Sequence, residues 1–188
     1  GMEEELRQSE ARLAQLYNEA PVGYHELDRE GRIIQVNQTE LDMLGYTAEE
    51  ILGRHVWDFM VESETSSKAF AAKMAGAMPP GKGFERTYRR KDGTTVPILI
   101  EDRYVKDESW RVIGLRSTMQ NITERKKMEQ ELRESEEKLN AIVNSASANI
   151  HMLDKDCNIL WTNQSTRNAF GEDIIGRKCY EVFHRKKE

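Results

Sequence analysis

The residues of this chain that could do chemistry are four histidines and two cysteines, and their spacing forms no known reactive centre. Cys179 and His184 lie close together in the sequence but lack two further ligands at zinc spacing. The chain contains no glycine-rich phosphate loop, no Ser-His-Asp set and no paired-carboxylate motif. His25 lies in a predicted strand, where a partly exposed histidine is the expectation. We therefore expect no catalytic residue, no metal ligand and a non-enzymatic fragment.

A second set of side chains could bind a molecule rather than react with one. Large apolar side chains and methionines recur over residues 59–78, and polar side chains that could face them lie on neighbouring strands. These residues either line a small-molecule cavity or fill the core, since methionine occupies irregular space in many cores. The candidate cavity residues are Tyr24, Asn37, Phe59, Met60, Phe70, Met74, Arg86 and Tyr88.

Two strands, several short helices and three further strands are predicted to position these residues. The joins within each group of strands are short, which predicts hairpins and a mainly antiparallel sheet. The fold is therefore predicted to be α+β, with a five-stranded antiparallel sheet and short helices on one face. The predicted strands are 22–27, 32–36, 84–90, 95–105 and 110–122, and the longest helix between them is 62–78.

A charged helix with a narrow apolar seam is predicted before the sheet and another after it, at 1–19 and 125–145. Apolar residues spaced three and four apart are typical of coiled coils. A seam exposed on a single helix is unfavourable in water, so we expect a parallel homodimer; the alternative is one solvated spacer helix. The seam residues are Leu6, Leu13, Leu16, Met128, Leu132, Leu139 and Ile142.

The sequence repeats itself once. Leu-Arg-Gln-Ser-Glu at 6–10 returns as Leu-Arg-Glu-Ser-Glu at 132–136, and His25 and Asn37 return as His151 and Asn163. The repeat predicts a complete domain at 20–124 and the first half of a second domain at 146–188, in a tandem array cut from a longer protein. Two strands are marginal alone, so we expect the half domain to be mobile or completed by another chain.

Composition argues against several classes of partner. The net charge of −5 disfavours nucleic acid, and the basic residues 185–187 are too few to reverse this. No apolar run reaches the roughly 18 residues that a membrane-spanning helix needs, so we expect no membrane contact within the fragment. Two cysteines provide no disulfide framework. We expect a cytoplasmic location, or the cytoplasmic part of a membrane-anchored sensor.

The chain resembles the PAS family of sensor domains. The resemblance is carried by Ala-Pro-Val-Gly at 20–23, Gly-Tyr-Thr at 45–47, Glu-Glu-Ile-Leu-Gly-Arg at 49–54, Arg-Arg-Lys-Asp-Gly at 89–93 and Asn-Ile-Thr-Glu-Arg at 121–125. It implies that the last strand passes a signal into the following helix through Asn121, Ile122, Thr123 and Arg125. Members of the family usually have Asp where this chain has Asn121, and a neutral Asn predicts weaker coupling.

The resemblance also bears on cofactors. Blue-light relatives place a flavin-reactive cysteine in a Gly-x-Asn-Cys-Arg-Phe stretch, and the chain around Cys179 keeps only the spacing. The equivalent position in the complete domain is Val56. Haem-binding relatives carry the iron ligand on the helix predicted at 62–78, which contains no histidine. We expect neither flavin nor haem, and the sequence implies no other cofactor.

The resemblance implies a sensory input module of a signalling protein such as a sensor histidine kinase of a two-component system. The module would bind a small molecule or partner and act on a downstream effector domain through the connecting helix. A ligand-free dimerisation scaffold is the alternative, and a flavin or haem sensor of light or redox state is a third possibility.

Overall fold

The structure is a computed structural model that describes residues 1–183. The expectations for His184 and for the basic residues 185–187 lie outside the described residues. Two compact units are present, the first ending at Lys126 and the second beginning at Lys127. In chain order the elements are α1 (Met2–Asn18), β1 (Gly23–Leu27), β2 (Ile33–Val36), α2 (Gln38–Leu44), α3 (Ala48–Ile51), a 3-10 turn (Val56–Phe59), α4 (Ser63–Met74), β3 (Lys82–Arg89), β4 (Thr95–Lys106), β5 (Val112–Asn121), α5 (Thr123–Ser145), β6 (His151–Leu153), β7 (Ile159–Thr162), α6 (Gln164–Phe170) and α7 (Cys179–Phe183).

A five-stranded antiparallel sheet forms the centre of the first unit. Its strand order is β2-β1-β5-β4-β3. The two hairpin-connected groups meet where β1 pairs with β5, so the last strand lies in the middle of the sheet. The predicted α+β fold is confirmed, including the short helices on one face and the flanking helices.

The core of the first unit lies between one face of the sheet and the short helices. On β4, Val96, Ile98 and Ile100 are at most 2% exposed, because alternate residues of a strand face the same side. Leu44 and Ile51 pack against them from the helical side, and each such buried side chain contributes about 1.5–3 kcal/mol relative to exposure. The inner face of the sheet is therefore mainly apolar, and its polar residues are exceptions.

Aspartate side chains close the hairpin turns. In the β1–β2 turn the Oδ1 atom of Asp28 accepts hydrogen bonds from the backbone N–H groups of Glu30 and Arg32. Gly31 in this turn has a φ of 82°, a conformation that glycine adopts without strain. Asp107 forms the equivalent pair of hydrogen bonds in the β4–β5 turn. These turns set the register of the strands.

The helix predicted at 62–78 ends at Met74, earlier than expected. Gly76 adopts a φ of 74°, which breaks the helical path. The Tyr104 hydroxyl lies 2.9 Å from the carbonyl oxygen of Lys73 and 3.1 Å from that of Met78, so β4 holds this end of the helix. The last strand likewise begins at Val112, later than the predicted residue 110.

The flanking helices α1 and α5 contain no buried residue. Their seam residues are 59–66% exposed. The homodimer expected from this seam stays a prediction. Across residues 1–183, no helix combines the length and the apolar character that crossing a bilayer would require.

The second unit repeats the beginning of the first. A two-stranded sheet of β6 and β7 is followed by α6, as β1 and β2 are followed by α2. Ile159 and Ile174 supply its buried apolar side chains. The prediction that this half domain is mobile or completed by another chain stays a prediction.

Candidate functional site

A row of polar residues crosses the otherwise apolar inner face of the sheet. The strand register pairs His25 of β1 with Ser117 of β5, and Ser117 with Asp102 of β4. All three residues are at most 6% exposed. Burying a polar side chain costs free energy unless the side chain has a hydrogen-bonding partner. The partners of these three residues therefore show how the domain stabilises polar groups in its core.

The first partner of this row is Lys73 of α4. Its Nζ atom forms an ion pair with Oδ2 of Asp102, and the Oδ1 atom of Asp102 accepts a hydrogen bond of 2.7 Å from the Ser117 hydroxyl. The Lys73 ammonium also lies 4.4 Å from the centre of the Phe84 ring. A buried ion pair adds little net stability over an apolar pair of the same size, so stability alone does not explain it.

The second partner is Glu40 of α2. The Nδ1 atom of His25 lies 2.9 Å from each carboxylate oxygen of Glu40, and both residues are 1% exposed. Burial is the strongest influence on the pKa of His25 and lowers it. Three effects raise it: the charge of Glu40, the hydrogen bond to Glu40 and the charge of Asp102. Together they outweigh burial, so the pKa of His25 lies above its ordinary value. The expectation of a partly exposed His25 is wrong, because α2 covers this face of β1.

A small cavity of about 40 Å³ adjoins this row, between α4 and the inner face of the sheet. Tyr88 lies in its wall, and among the described residues the Tyr88 hydroxyl is the one fully buried side-chain polar atom without a hydrogen-bond partner. Burial, followed by the charges of Glu40 and Asp102, raises the pKa of Tyr88 well above its ordinary value. The hydroxyl therefore stays protonated and remains a hydrogen-bond donor.

Four of the eight predicted cavity residues line this cavity: Met60, Phe70, Arg86 and Tyr88. The other four lie elsewhere. Phe59 is buried in the core and Met74 packs at its edge. The Tyr24 hydroxyl donates to Glu26 at 2.9 Å, outside the cavity. Asn37 is buried at the beginning of α2, where it binds backbone atoms.

Asn37 connects α1 to the sheet. Its Nδ2 atom donates to the carbonyl oxygens of Tyr17 at 2.9 Å and Val22 at 3.0 Å. Its Oδ1 atom accepts from the backbone N–H groups of Tyr24 at 2.9 Å and Glu40 at 3.1 Å. One buried side chain thus caps α2 and holds the end of the preceding helix.

The second unit contains the same arrangement around Asn163. The Nδ2 atom of Asn163 donates to the carbonyl oxygens of Val143 at 3.0 Å and Ala148 at 2.9 Å. Its Oδ1 atom accepts from the backbone N–H groups of Ile150 at 3.0 Å and Thr166 at 3.1 Å. Asn163 therefore holds the C-terminal end of α5.

The N-terminal end of α5 continues directly from β5. The Oδ1 atom of Asn121 accepts hydrogen bonds from the backbone N–H of Thr123 at 2.9 Å and from its hydroxyl at 2.6 Å. Ile122 is 2% exposed, and its N–H donates to the carbonyl oxygen of Pro97 at 3.1 Å. Asn121 therefore supports the first turn of the helix by neutral hydrogen bonds.

The first turn of α5 also carries two ion pairs to β3. Arg125 lies 3.2 Å and Lys126 2.6 Å from the carboxylate of Glu85. The hydrogen bond from Lys126 is the largest cause that lowers the pKa of Glu85. These exposed pairs connect α5 to the strand that carries Arg86 and Tyr88.

Sequence reasoning missed Glu40, Lys73, Asp102 and Ser117. A signal for Asp102 exists, because it continues the alternation that places Ile98 and Ile100 on the inner face of β4. Lys73 and Glu40 carry no comparable signal, since charged residues in short helices usually face water.

Both cysteines of the chain are free thiols. Cys157 is exposed and Cys179 is partly buried. Within residues 1–183, no group of three or more His, Cys, Asp or Glu residues is arranged to hold a metal ion. The polar cavity and the two ends of α5 are therefore the candidate functional features.

The sequence also matches known proteins. Sporulation kinase E of Bacillus subtilis (strain 168) is 25% identical over 189 residues, which cover 96% of this chain and 23% of that protein. The C4-dicarboxylate transport sensor protein DctS of Rhodobacter capsulatus is 26% identical over 143 residues, covering 73% of this chain and 21% of that protein. The chain therefore spans less than a quarter of the length of either relative.

The crystal structure of the PAS domain of an HTR-like protein from Haloarcula marismortui has the same fold. It superimposes with a TM-score of 0.55 at 26% identity, covering 64% of this chain and 98% of that one. The sequence pattern of PAS domains matches residues 21–124 and 147–188, more than half of the chain. The chain belongs to the PAS domain family.

Proposed function

We propose that the chain is the sensory input region of a larger signalling protein, and that it has no catalytic activity of its own. A small molecule in the cavity of the first domain changes the position of α5, and α5 passes this change to the following units. The observation that carries the proposal is the small cavity beside the buried polar row, whose walls include β5, the strand that continues into α5.

The cavity supports ligand binding because its polar groups are incompletely satisfied. An unpaired buried hydroxyl such as that of Tyr88 costs about 1–3 kcal/mol. A ligand that accepts this hydrogen bond recovers that free energy. The cavity of about 40 Å³ is far below the roughly 300 Å³ of ordinary cofactor sites, which argues against flavin and haem.

The attachment of α5 at both ends supports the relay. Asn121 and the Glu85 ion pairs hold its first turn, and Asn163 holds its last turn. A ligand shifts the helix only through a difference in affinity between two arrangements. The ligand cavity and the Glu85 contacts share strand β3, which gives a ligand a physical means of changing the first turn.

The names of the two curated relatives support a sensor as the parent protein. One is a sporulation kinase and the other a sensor of C4-dicarboxylate transport. We propose a sensor kinase of a two-component system as the parent, with its effector domain as the downstream partner.

Native mass spectrometry of the purified chain tests ligand binding. A bound molecule that is lost in Tyr88→Phe and kept in the exposed control Tyr180→Phe supports the proposal. Hydrogen exchange at residues 121–126 should then differ between bound and free protein. A polypeptide mass without additions, together with unchanged exchange in a metabolite screen, would contradict it.

We also propose that the exposed seams of α1 and α5 pair with those of a second copy. Leu132→Asn combined with Leu139→Asn should convert a dimer into a monomer in analytical ultracentrifugation. The control is Gln130→Asn with Glu137→Asn, which has the same spacing on the opposite side of α5. A monomeric wild type, or equal effects of both pairs, would rule out the seam dimer.

A ligand-free dimerisation scaffold is the second candidate function. The small volume of the cavity favours it, because one or a few water molecules could satisfy Tyr88. It predicts a dimer in ultracentrifugation and no specific ligand in native mass spectrometry.

A further inference from the structure

The charges in the wall of the cavity do not balance. Lys73 is paired with Asp102, and His25 is paired with Glu40. Arg86 also lines the cavity; its Nη1 atom donates to the carbonyl oxygen of Glu85 at 2.8 Å, and among residues 1–183 it forms no ion pair. Its guanidinium lies 5.1 Å from the centre of the Phe84 ring. Within the lining, the charges of Lys73 and Asp102 cancel, and Arg86 adds a positive charge at the edge of a partly desolvated space.

The hydrogen-bonding groups in the wall of the cavity also favour an anion, because free donors outnumber free acceptors. Both carboxylate oxygens of Asp102 are occupied, by Lys73 and by Ser117. The Tyr88 hydroxyl has no acceptor. Ser66 accepts a hydrogen bond of 3.2 Å from the Nε atom of Arg86, which leaves its own hydroxyl hydrogen available. The wall therefore offers donors and few free acceptors, which suits a ligand rich in acceptors.

The size of the cavity limits that ligand. A water molecule needs roughly 10–15 Å³ of such volume, so about 40 Å³ accommodates about three or four atoms heavier than hydrogen. A surface groove beside the cavity shares four of its residues and contains Lys82, which adds positive charge at the approach. The shared residues are Ala69, Lys73, Phe84 and Arg86.

We propose that the cavity binds a small monovalent oxyanion, of which formate and acetate are the type examples. The anion accepts hydrogen bonds from Tyr88 and Ser66 and is neutralised by Arg86. This inference rests on the proposed sensory function, because it specifies the class of molecule that occupies the same cavity.

Titration of the full chain with sodium acetate and sodium formate tests the proposal. Ionic strength is held constant with chloride, and binding is followed by calorimetry and by thermal denaturation. Neutral acetamide tests the need for charge, and succinate tests the limit on size. We expect acetate and formate to bind and to raise the melting temperature, with at least tenfold weaker binding of acetamide and succinate.

Two substitutions remove the proposed contacts. Arg86→Gln and Tyr88→Phe should each weaken acetate binding by about tenfold or more, as expected for hydrogen bonds to a charged group. Arg89→Gln is the matched control, because Arg89 lies on the same strand with an exposed side chain. Tyr88→Phe keeps the ring that fills the core, so its folding can be checked by circular dichroism before titration.

The outcomes separate this inference from the proposed function. Equal binding by Arg86→Gln and the wild type, equal binding of acetamide, or tighter binding of succinate would overturn the oxyanion assignment. The sensory function would survive any of these results if another molecule changed hydrogen exchange at residues 121–126. Acetate binding with unchanged exchange would support the oxyanion site and overturn the relay.

Discussion

The two units attach their preceding helices in the same way. In the first unit Asn37 holds the end of α1, and in the second Asn163 holds the end of α5. A second hydrogen bond is also repeated. The backbone N–H of Gln38 donates to the side chain of Asn18, and the backbone N–H of Gln164 donates to the side chain of Asn144. The attachment of helix to domain is therefore a shared structural feature of both units.

The buried chemistry beside this attachment differs between the units. Where the first unit has Glu40 paired with His25, the second has Thr166, whose hydroxyl donates to Asn163 at 2.7 Å. His151, which corresponds to His25, is exposed and stacks on Phe183 with 4.5 Å between ring centres. The comparison teaches that the helix attachment is common to both units, whereas within residues 1–183 buried charged side chains occur only in the first.

The largest expected effect comes from removing the specific feature. Glu40→Ala leaves His25 buried without its partner and should lower the free energy of unfolding of the first unit by about 3 kcal/mol. Thr166→Ala removes only neutral hydrogen bonds and should lower the free energy of unfolding of the second unit by about 1 kcal/mol. Hydrogen exchange in urea, read at β1 and β6, measures the two units separately. Equal losses of free energy in the two units would mean that the His25–Glu40 pair stabilises its unit no more than neutral hydrogen bonds do.

A smaller and equal effect is expected from removing the shared feature. Asn37→Ala and Asn163→Ala each delete several buried hydrogen bonds, and each should cost its own unit about 2 kcal/mol. Faster hydrogen exchange at the C-terminal ends of α1 and α5 measures the loss of attachment. Asp42→Ala, on the exposed side of α2, is the control. An effect in only one unit would disprove the equivalence of the two attachments.

The buried pair also predicts how stability changes with pH. Because the pKa of His25 is raised by folding, the folded state binds the proton more tightly than the unfolded state. The resulting stabilisation is complete below the unfolded pKa of about 6.5 and is lost as the pH rises through the folded pKa. The slope is at most about 1.4 kcal/mol per pH unit. Urea denaturation between pH 5 and about 9 should show this loss, and Glu40→Gln should remove it.

The smallest effect is expected at the exposed junction. Glu85→Ala removes the ion pairs to Arg125 and Lys126 and should accelerate hydrogen exchange only in the first turn of α5. Because the pairs are exposed, the difference should shrink at high salt. Glu101→Ala, an exposed change on β4, is the control. A difference that persists in high salt would indicate a contact other than these ion pairs.

Local features of the fold could be predicted from the sequence. The short joins within each group of strands predict the hairpins and the antiparallel sheet that the structure contains. The ends of elements were less predictable. Helix α4 ends at Met74, where Gly76 leaves the helical path and Tyr104 of β4 contacts the carbonyl oxygen of Lys73.

The candidate site was only half predictable. The positions of Phe70 and Tyr88 could be predicted, because large apolar side chains on the inner side of a helix or strand fill the space beside a sheet. The polarity of Asn37 suggests a role in ligand binding, but the hydrogen bonds of its side chain are all made to backbone atoms. A side chain's polarity does not reveal which groups surround it.

The sequence by itself determined the α+β class, the antiparallel sheet and the repeated unit with its leading helix, because periodicity and turn residues act over a few positions. Only the tertiary structure decided that Glu40 meets His25 and that Lys73 meets Asp102. The two pairs join a helix to a strand across 15 and 29 positions of the chain, respectively. Such a pairing depends on where the helix lies on the sheet and on the register of the strands, and neither is encoded within a short stretch of residues.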